Sequence, residues 1–185
     1  MTLLPFDELN LFRDRLSMHF ENGKIRSKQD EEDIIDEMLD LFLLSCAMGS
    51  AAANEDLQTD YHIGMKRAVD IVDREIAGKT WRDRVREYFD NGGTEADIMR
   101  IAETETHRDA NEAAFVTATE VGATKKTWHC MMLPTSRDSH IYLNGVSAPI
   151  DGEFYSINGG STKYPGEWGI PEEDVNCLCW LTFDK

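Results

Sequence analysis

The stretch TEADIMRIAETETHRDANEAAFVTATEVG, Thr94 to Gly122, divides the chain into two kinds of pattern. Thr94 followed by Asp97 has the form of a helix start, a hydroxyl that caps and an acid three residues on. Ile98, Ile101, Ala102, Ala113 and Val116 recur at helical spacing and offer a face for burial. Gly122 breaks the pattern, so the spacing predicts a long helix reaching about Val121. Before this stretch the sequence reads as successive amphipathic helices, and after it as short strands and turns.

Upstream, Phe6, Leu9, Phe12, Leu16 and Phe20 read as one helix closed by Asn22-Gly23. Ser27 with Asp30 opens a second, whose buried face is Ile34, Ile35, Met38, Leu39, Phe42 and Leu43. The small-residue run Gly49 to Asn54 leaves its end open. A third helix is expected from Thr59 or Asp60 to Ala77, with Ile63, Val69, Val72 and Ile76 inward. Thr80 with Asp83 caps a short fourth that carries Trp81, Val85 and Phe89 and stops at Asn91-Gly92-Gly93.

Downstream, Thr127–Leu133 reads as a strand ended by Pro134, and His140–Leu143 precedes the tight-turn pair Asn144-Gly145. Val146–Ile150 runs into Asp151-Gly152, and Glu153–Ile157 into the loop from Asn158 to Ser161. Residues 165–176 look irregular, and Cys177–Phe183 closes the chain as a strand. The fold class is therefore α+β: a helical N-terminal half, a long helix, then a small C-terminal antiparallel β region.

Composition narrows the function. The 185 residues carry a net charge of −16, spread as −8 over residues 1–93 and −8 over residues 94–185. Duplex DNA repels such a chain, because affinity for nucleic acid comes mainly from cations that neutralise phosphates. Arg82, Arg84 and Arg86 are the best local exception, and Asp83, Glu87 and Asp90 dilute them. Four cysteines make no disulfide framework; Cys46 sits in an apolar run as a small core residue. Asp40 and Ser45 interrupt the longest apolar stretch, which is too short for a membrane span. The opening Met-Thr-Leu-Leu-Pro has no charged region ahead of an apolar one, as a signal peptide would. A cytoplasmic product with reduced thiols is the expectation.

Thr104, Glu105, Arg108 and Asn111 fall three or four residues apart, on one side of the long helix. Such a row is either an active-site ledge, with Glu105 as base, or a set of buried anchors. The second reading has Arg108 and Asn111 holding loop carbonyls of the β region. It is preferred, because no nucleophile or phosphate loop accompanies the row. No Walker loop, HExxH or GxSxG is present, and Gly159-Gly160-Ser161 is ordinary turn chemistry. His140, Cys177 and Cys179 carry donors suited to zinc, with His129 or Cys130 as a fourth. The Cys-x-Cys gap is unusual for a zinc knuckle and one ligand must be borrowed. Burial beneath Trp128 is therefore the expectation, with no cofactor.

Taken in order, Thr104-Glu105-x-x-Arg108-x-x-Asn111, Lys126-x-Trp128, Arg137-x-x-His140, Leu143-x-Gly145, Tyr164-Pro165-Gly166 and Asn176-Cys177-x-Cys179 resemble the Mu-F-like phage minor head (head morphogenesis) family. The resemblance covers about residues 78–183. It implies an N-terminal helical segment, 1–77, followed by a Mu-F-like domain, 78–185. Leu133 stands where the family often has Asp, and Arg137 and His140 stand where some relatives carry paired cysteines. The family implies a non-enzymatic structural protein of a tailed-phage or prophage head. Its partners would be the portal and the capsid or scaffold proteins, with contact to packaged DNA open. It would reside in the host cytoplasm during assembly and then in the virion head. Rival readings are a toxin-like or hydrolytic domain, since such domains also occur fused to effectors, and a zinc-stabilised interaction module.

Overall fold

A computed structural model describes residues 6–185; the opening segment read above as lacking a leader lies outside the described residues. In chain order the elements are α1 (Phe6–Leu16), β1 (Phe20–Glu21), β2 (Lys24–Ile25), α2 (Lys28–Leu57), α3 (Met65–Val72), α4 (Trp81–Asp90) and α5 (Glu95–Glu120). These are followed by β3 (Lys125–His129), α6 (Asp138–Leu143), β4 (Ser147–Pro149), β5 (Phe154–Tyr155), β6 (Ser161–Thr162), α7 (Pro171–Asp174) and β7 (Trp180–Asp184). The architecture is mixed α+β, helical in its first part with small antiparallel sheets in the second.

Two helices carry the frame. α5 starts on a full capping box, in which Thr94 and Asp97 each satisfy the other's backbone N–H. α4 does the same with Thr80 and Asp83, and Ser27 caps α2. Helix α2 runs unbroken through the small-residue stretch to Leu57. Close approach to α5 requires those small residues. A Cβ on Gly49 would sit 2.0 Å from the Ala110 carbonyl oxygen, and Thr117 Oγ1 donates to Ser50 Oγ at 2.8 Å across the same contact. Leu9, Phe12, Ile34, Met38, Phe42, Trp81, Val85, Ile98 and Ala102 fill one apolar core between these helices. Phe42 meets Trp81 edge-on at 4.9 Å.

Several boundaries differ from the sequence reading. The first helix ends at Leu16, and Asn22-Gly23 closes a two-stranded hairpin instead. Both residues have positive φ (52° and 75°), as the tight hairpin turn demands. The third helix is confined to Met65–Val72, and its buried face is Ala68, Ile71 and Val72 rather than Val69 and Ile76. Asn54 is the cause at one end: its side chain holds the backbone of Tyr61 and the hydroxyl of Thr59, so residues 59–61 are tied down as a loop. At the other end Ile76 and Lys79 pair across Ala77-Gly78.

The main sheet has the order β4-β3-β7, all antiparallel, with Trp128 opposite Leu181 and His129 opposite Trp180. Strand β3 starts at Lys125 and stops at His129, so Cys130–Leu133 is loop. The residues before Asn144-Gly145 form a helical turn, α6, not a strand: the Arg137 carbonyl accepts from the amides of both His140 and Ile141. Strand β7 begins at Trp180, leaving Cys177 and Cys179 in the loop ahead of it. Trp128, Phe154, Tyr164, Trp168, Leu181 and Phe183 form a second core here, into which Ala53 and Leu57 of α2 also pack.

Candidate functional site

Three of the motif residues, Thr104, Asn111 and Arg137, converge on one short piece of backbone, Val175 to Cys179. Arg137 Nη2 donates to the Val175 carbonyl at 2.5 Å, and Asn176 N donates to Thr104 Oγ1 at 3.4 Å. Asn111 Nδ2 donates to the Cys179 carbonyl at 3.1 Å and to the His107 carbonyl at 3.0 Å. His107 Nε2 donates to the same Cys179 carbonyl. Asn176 has φ +56°, a left-handed conformation that asparagine tolerates better than most residues. A segment without regular structure is thus fixed at three of its five residues by side chains of α5 and of the residue that precedes α6.

Glu105, Arg108 and Asn111 are each only 1% exposed. Arg108 Nε and Nη2 donate to Asp109 Oδ1 at 3.1 and 2.7 Å, while its Nη1 lies 2.6 Å from Glu105 Oε2. Arg84 from α4 closes on the other Glu105 oxygen at 2.8 Å. Arg108 therefore spends its guanidinium on carboxylates, where the sequence reading had it holding loop carbonyls; Asn111 does hold one. The chain Tyr164-Pro165-Gly166 crosses the stem of Arg108 so closely that a Cβ on Gly166 (φ +89°) would lie 3.1 Å from Arg108 Cβ. Arg74 extends the charge row, donating to Tyr164 Oη at 2.6 Å and lying 3.1 Å from Glu112 Oε2. Burial pushes the Asp109 carboxyl up to about 7 in spite of the Arg108 beside it, and Glu105 adds repulsion.

His140 projects from α6 into the second core, 2% exposed, packed edge-on to Trp128 and stacked on Trp168. Its Nδ1 lies 3.6 Å from Cys177 Sγ and 3.4 Å from Cys179 Sγ. Its Nε2 lies 3.0 Å from Glu173 Oε2, close but off hydrogen-bond alignment. Glu173 is itself buried and accepts from Ser139 Oγ at 2.8 Å, Asn158 Nδ2 at 3.0 Å and Ser156 Oγ at 3.2 Å. Those donors, with His140, hold its carboxyl below the usual range against the effect of burial. Of the two thiols, Cys177 is the one held low, by the Cys179 S–H and by His140, while the same pairing and burial push Cys179 up. Trp128, 0% exposed, forms the floor. His129, the neighbouring strand residue, points the other way, bonded to Thr182 Oγ1 and stacked on Trp180.

The sequence reading misses His107, Glu173, Asp109 and Arg74, and places Arg84 in a local basic patch where the structure pairs it with Glu105. His107 had a usable signal, since it lies one turn before Asn111 on the same helical face. Glu173 had none: it falls in the stretch 165–176 that reads as irregular, and only the fold turns it inward.

Two known proteins are distantly similar to the chain, a phage minor head protein and an ADP-ribosyltransferase, and neither assigns a family. No family model matches the chain, and no solved structure matches. The chain is distantly similar to the minor head protein GP7 of Bacillus phage SPP1, 34% identical over 86 residues, which is 44% of this chain and 28% of that protein. It is also similar to the NAD(+)–arginine ADP-ribosyltransferase EFV of Enterococcus faecalis, 35% identical over 109 residues, 55% of this chain and 22% of the transferase. The chain thus spans about a quarter of the length of either relative. Among the described residues no helix is long and apolar enough to cross a membrane.

Proposed function

We propose that the protein is a minor head protein of a tailed phage or prophage, acting in head morphogenesis at the portal or inner capsid and without catalytic activity. The observation that carries this reading is the inward direction of the polar ledge. Glu105, the residue best suited to act as base, is buried between Arg84 and Arg108. A general base must reach the proton it removes. Thr104, Asn111 and Arg137 are spent on loop backbone. The likeness to a minor head protein supports the same reading, while the likeness to a transferase covers about a fifth of that enzyme. Likenesses that each cover only part of two such differently named proteins single out no shared reaction.

The partners in this reading are the portal and the capsid or scaffold proteins, met through an acidic exterior. A net charge of −16 favours basic partner surfaces and opposes tight binding to free duplex DNA at physiological salt. The test is to purify proheads with and without the gene. The protein should co-purify with portal, and its loss should lower head yield or infectivity. Heads that assemble normally and never contain the protein would reject the proposal. The enzymatic rival is tested separately: labelled NAD⁺ with an arginine-bearing acceptor should yield no transfer.

A further inference from the structure

We propose that His140, Cys177 and Cys179 form a structural zinc site, with Cys130 as the fourth donor. The sequence reading preferred plain burial for these residues because a ligand was missing and the Cys-x-Cys gap was unusual. The geometry changes that balance. The His140 Nδ1 and the two sulfurs lie within 4.8 Å of one another, all buried. A tetrahedral zinc with bonds of about 2.3 Å to sulfur and about 2.0 Å to nitrogen places nitrogen and sulfur ligands about 3.5 Å apart. The observed separations are 3.6 and 3.4 Å. Both nitrogen–sulfur separations match those of ligands on one ion.

Two further observations support a metal over simple packing. The far side of the His140 ring faces Glu173, whose carboxylate is fixed by Ser139, Ser156 and Asn158. A carboxylate behind a histidine is the usual outer shell of a metal site, setting the tautomer that leaves the other nitrogen free to bind. The Cys-x-Cys loop is also fixed beforehand, through its backbone, by Arg137, Thr104, His107 and Asn111. Both sulfurs face His140 Nδ1, from a loop ahead of β7 in which Asn176 is left-handed.

The fourth position is assigned to Cys130, the first residue after β3, which is buried but stands outside the 4.8 Å group formed by the other three donors. Cys130 lines the same small cavity of about 30 Å³ as His140, Cys177 and Cys179. Three thiolates and one imidazole are donors that zinc prefers in closed structural sites. Such a metal would tie together β3, α6 and the segment before β7. This inference is independent of head assembly and can fail or stand without it.

The experiment uses the full chain expressed in zinc-supplemented medium and purified under reducing conditions. Elemental analysis should find about one zinc per chain, and a chelator should lower the melting temperature, because metal binding energy is folding energy in such sites. Cobalt(II) should replace zinc and give the visible bands of a tetrahedral thiolate site. His140→Cys should retain the metal, whereas His140→Gln should lose it. Cys130→Ser should weaken cobalt binding and reduce the sulfur charge-transfer band; an unchanged spectrum would remove Cys130 from the site. Folded protein without zinc, whose melting temperature responds to neither chelator nor added zinc, would overturn the proposal.

Discussion

The helical layer and the C-terminal region are held by different means. Between α1, α2, α4 and the first turns of α5 the core is apolar, with ion pairs such as Arg13–Glu103 and Arg15–Glu37 at its edge, and the backbone satisfies itself within helices. From β3 onward the strands are two to five residues long and much of the chain is loop. There, buried and half-buried polar side chains replace the missing backbone ladder: Arg137, Thr104, His107 and Asn111 at the 175–179 segment, and Asp174 accepting from the amides of Trp168 and Ile170. Apolar packing is distributed and tolerates loss. A polar grip is made of single contacts, each of which leaves a partner stranded when removed.

The largest expected effect lies where the two regions meet. Arg108→Met would leave Glu105 and Asp109 buried with less compensation, costing about 3–5 kcal/mol as for other broken buried pairs. It should abolish soluble expression or drop the melting point steeply. A variant as stable as the parent would show that the charge row is dispensable. Gly49→Ala tests the helical side by overpacking, since the new Cβ meets the Ala110 backbone and forces α2 from α5. About 1–3 kcal/mol is expected by denaturant titration, with both cores affected.

The contrast also shows what was readable in sequence. Caps at Ser27, Thr80 and Thr94 and the long α5 follow local rules, and each formed where those rules put it. The misjudged elements depended on distant atoms. His140–Leu143 has strand-like composition, yet it winds into a helical turn that buries His140 and Leu143 together. Residues 59–64 keep a helical apolar pattern, but Asn54, on another element, captures their backbone. The row Thr104, Arg108, Asn111 was visible as a row. What it grips was not, because Val175–Cys179 has no periodicity, and Glu173 gives no local sign of burial.

A pH experiment sharpens the comparison further. The Asp109 carboxyl is raised to about 7 in the fold, so between its unfolded value near 3.8 and about 7 the native state keeps a proton that the unfolded chain has released. Its contribution is complete below the lower value and is lost as pH rises toward 7. Asp109→Asn should therefore gain stability relative to the parent as pH climbs from 4 to 7. Parallel curves would contradict the buried, raised carboxyl. The smallest expected effect is at α3, whose N-cap Gly64 has no side-chain cap. Gly64→Ser should add a few tenths of a kcal/mol, seen as a slight rise in melting temperature.

The most direct test of the polar grip is amide hydrogen exchange on Asn111→Ala. The substitution takes one of two donors from the Cys179 carbonyl and costs about 1–3 kcal/mol. The account predicts lost protection from residue 174 through β7, with the amides of α2 and α4 still protected. Uniform loss across both regions, or no change at the Cys-x-Cys loop, would contradict it.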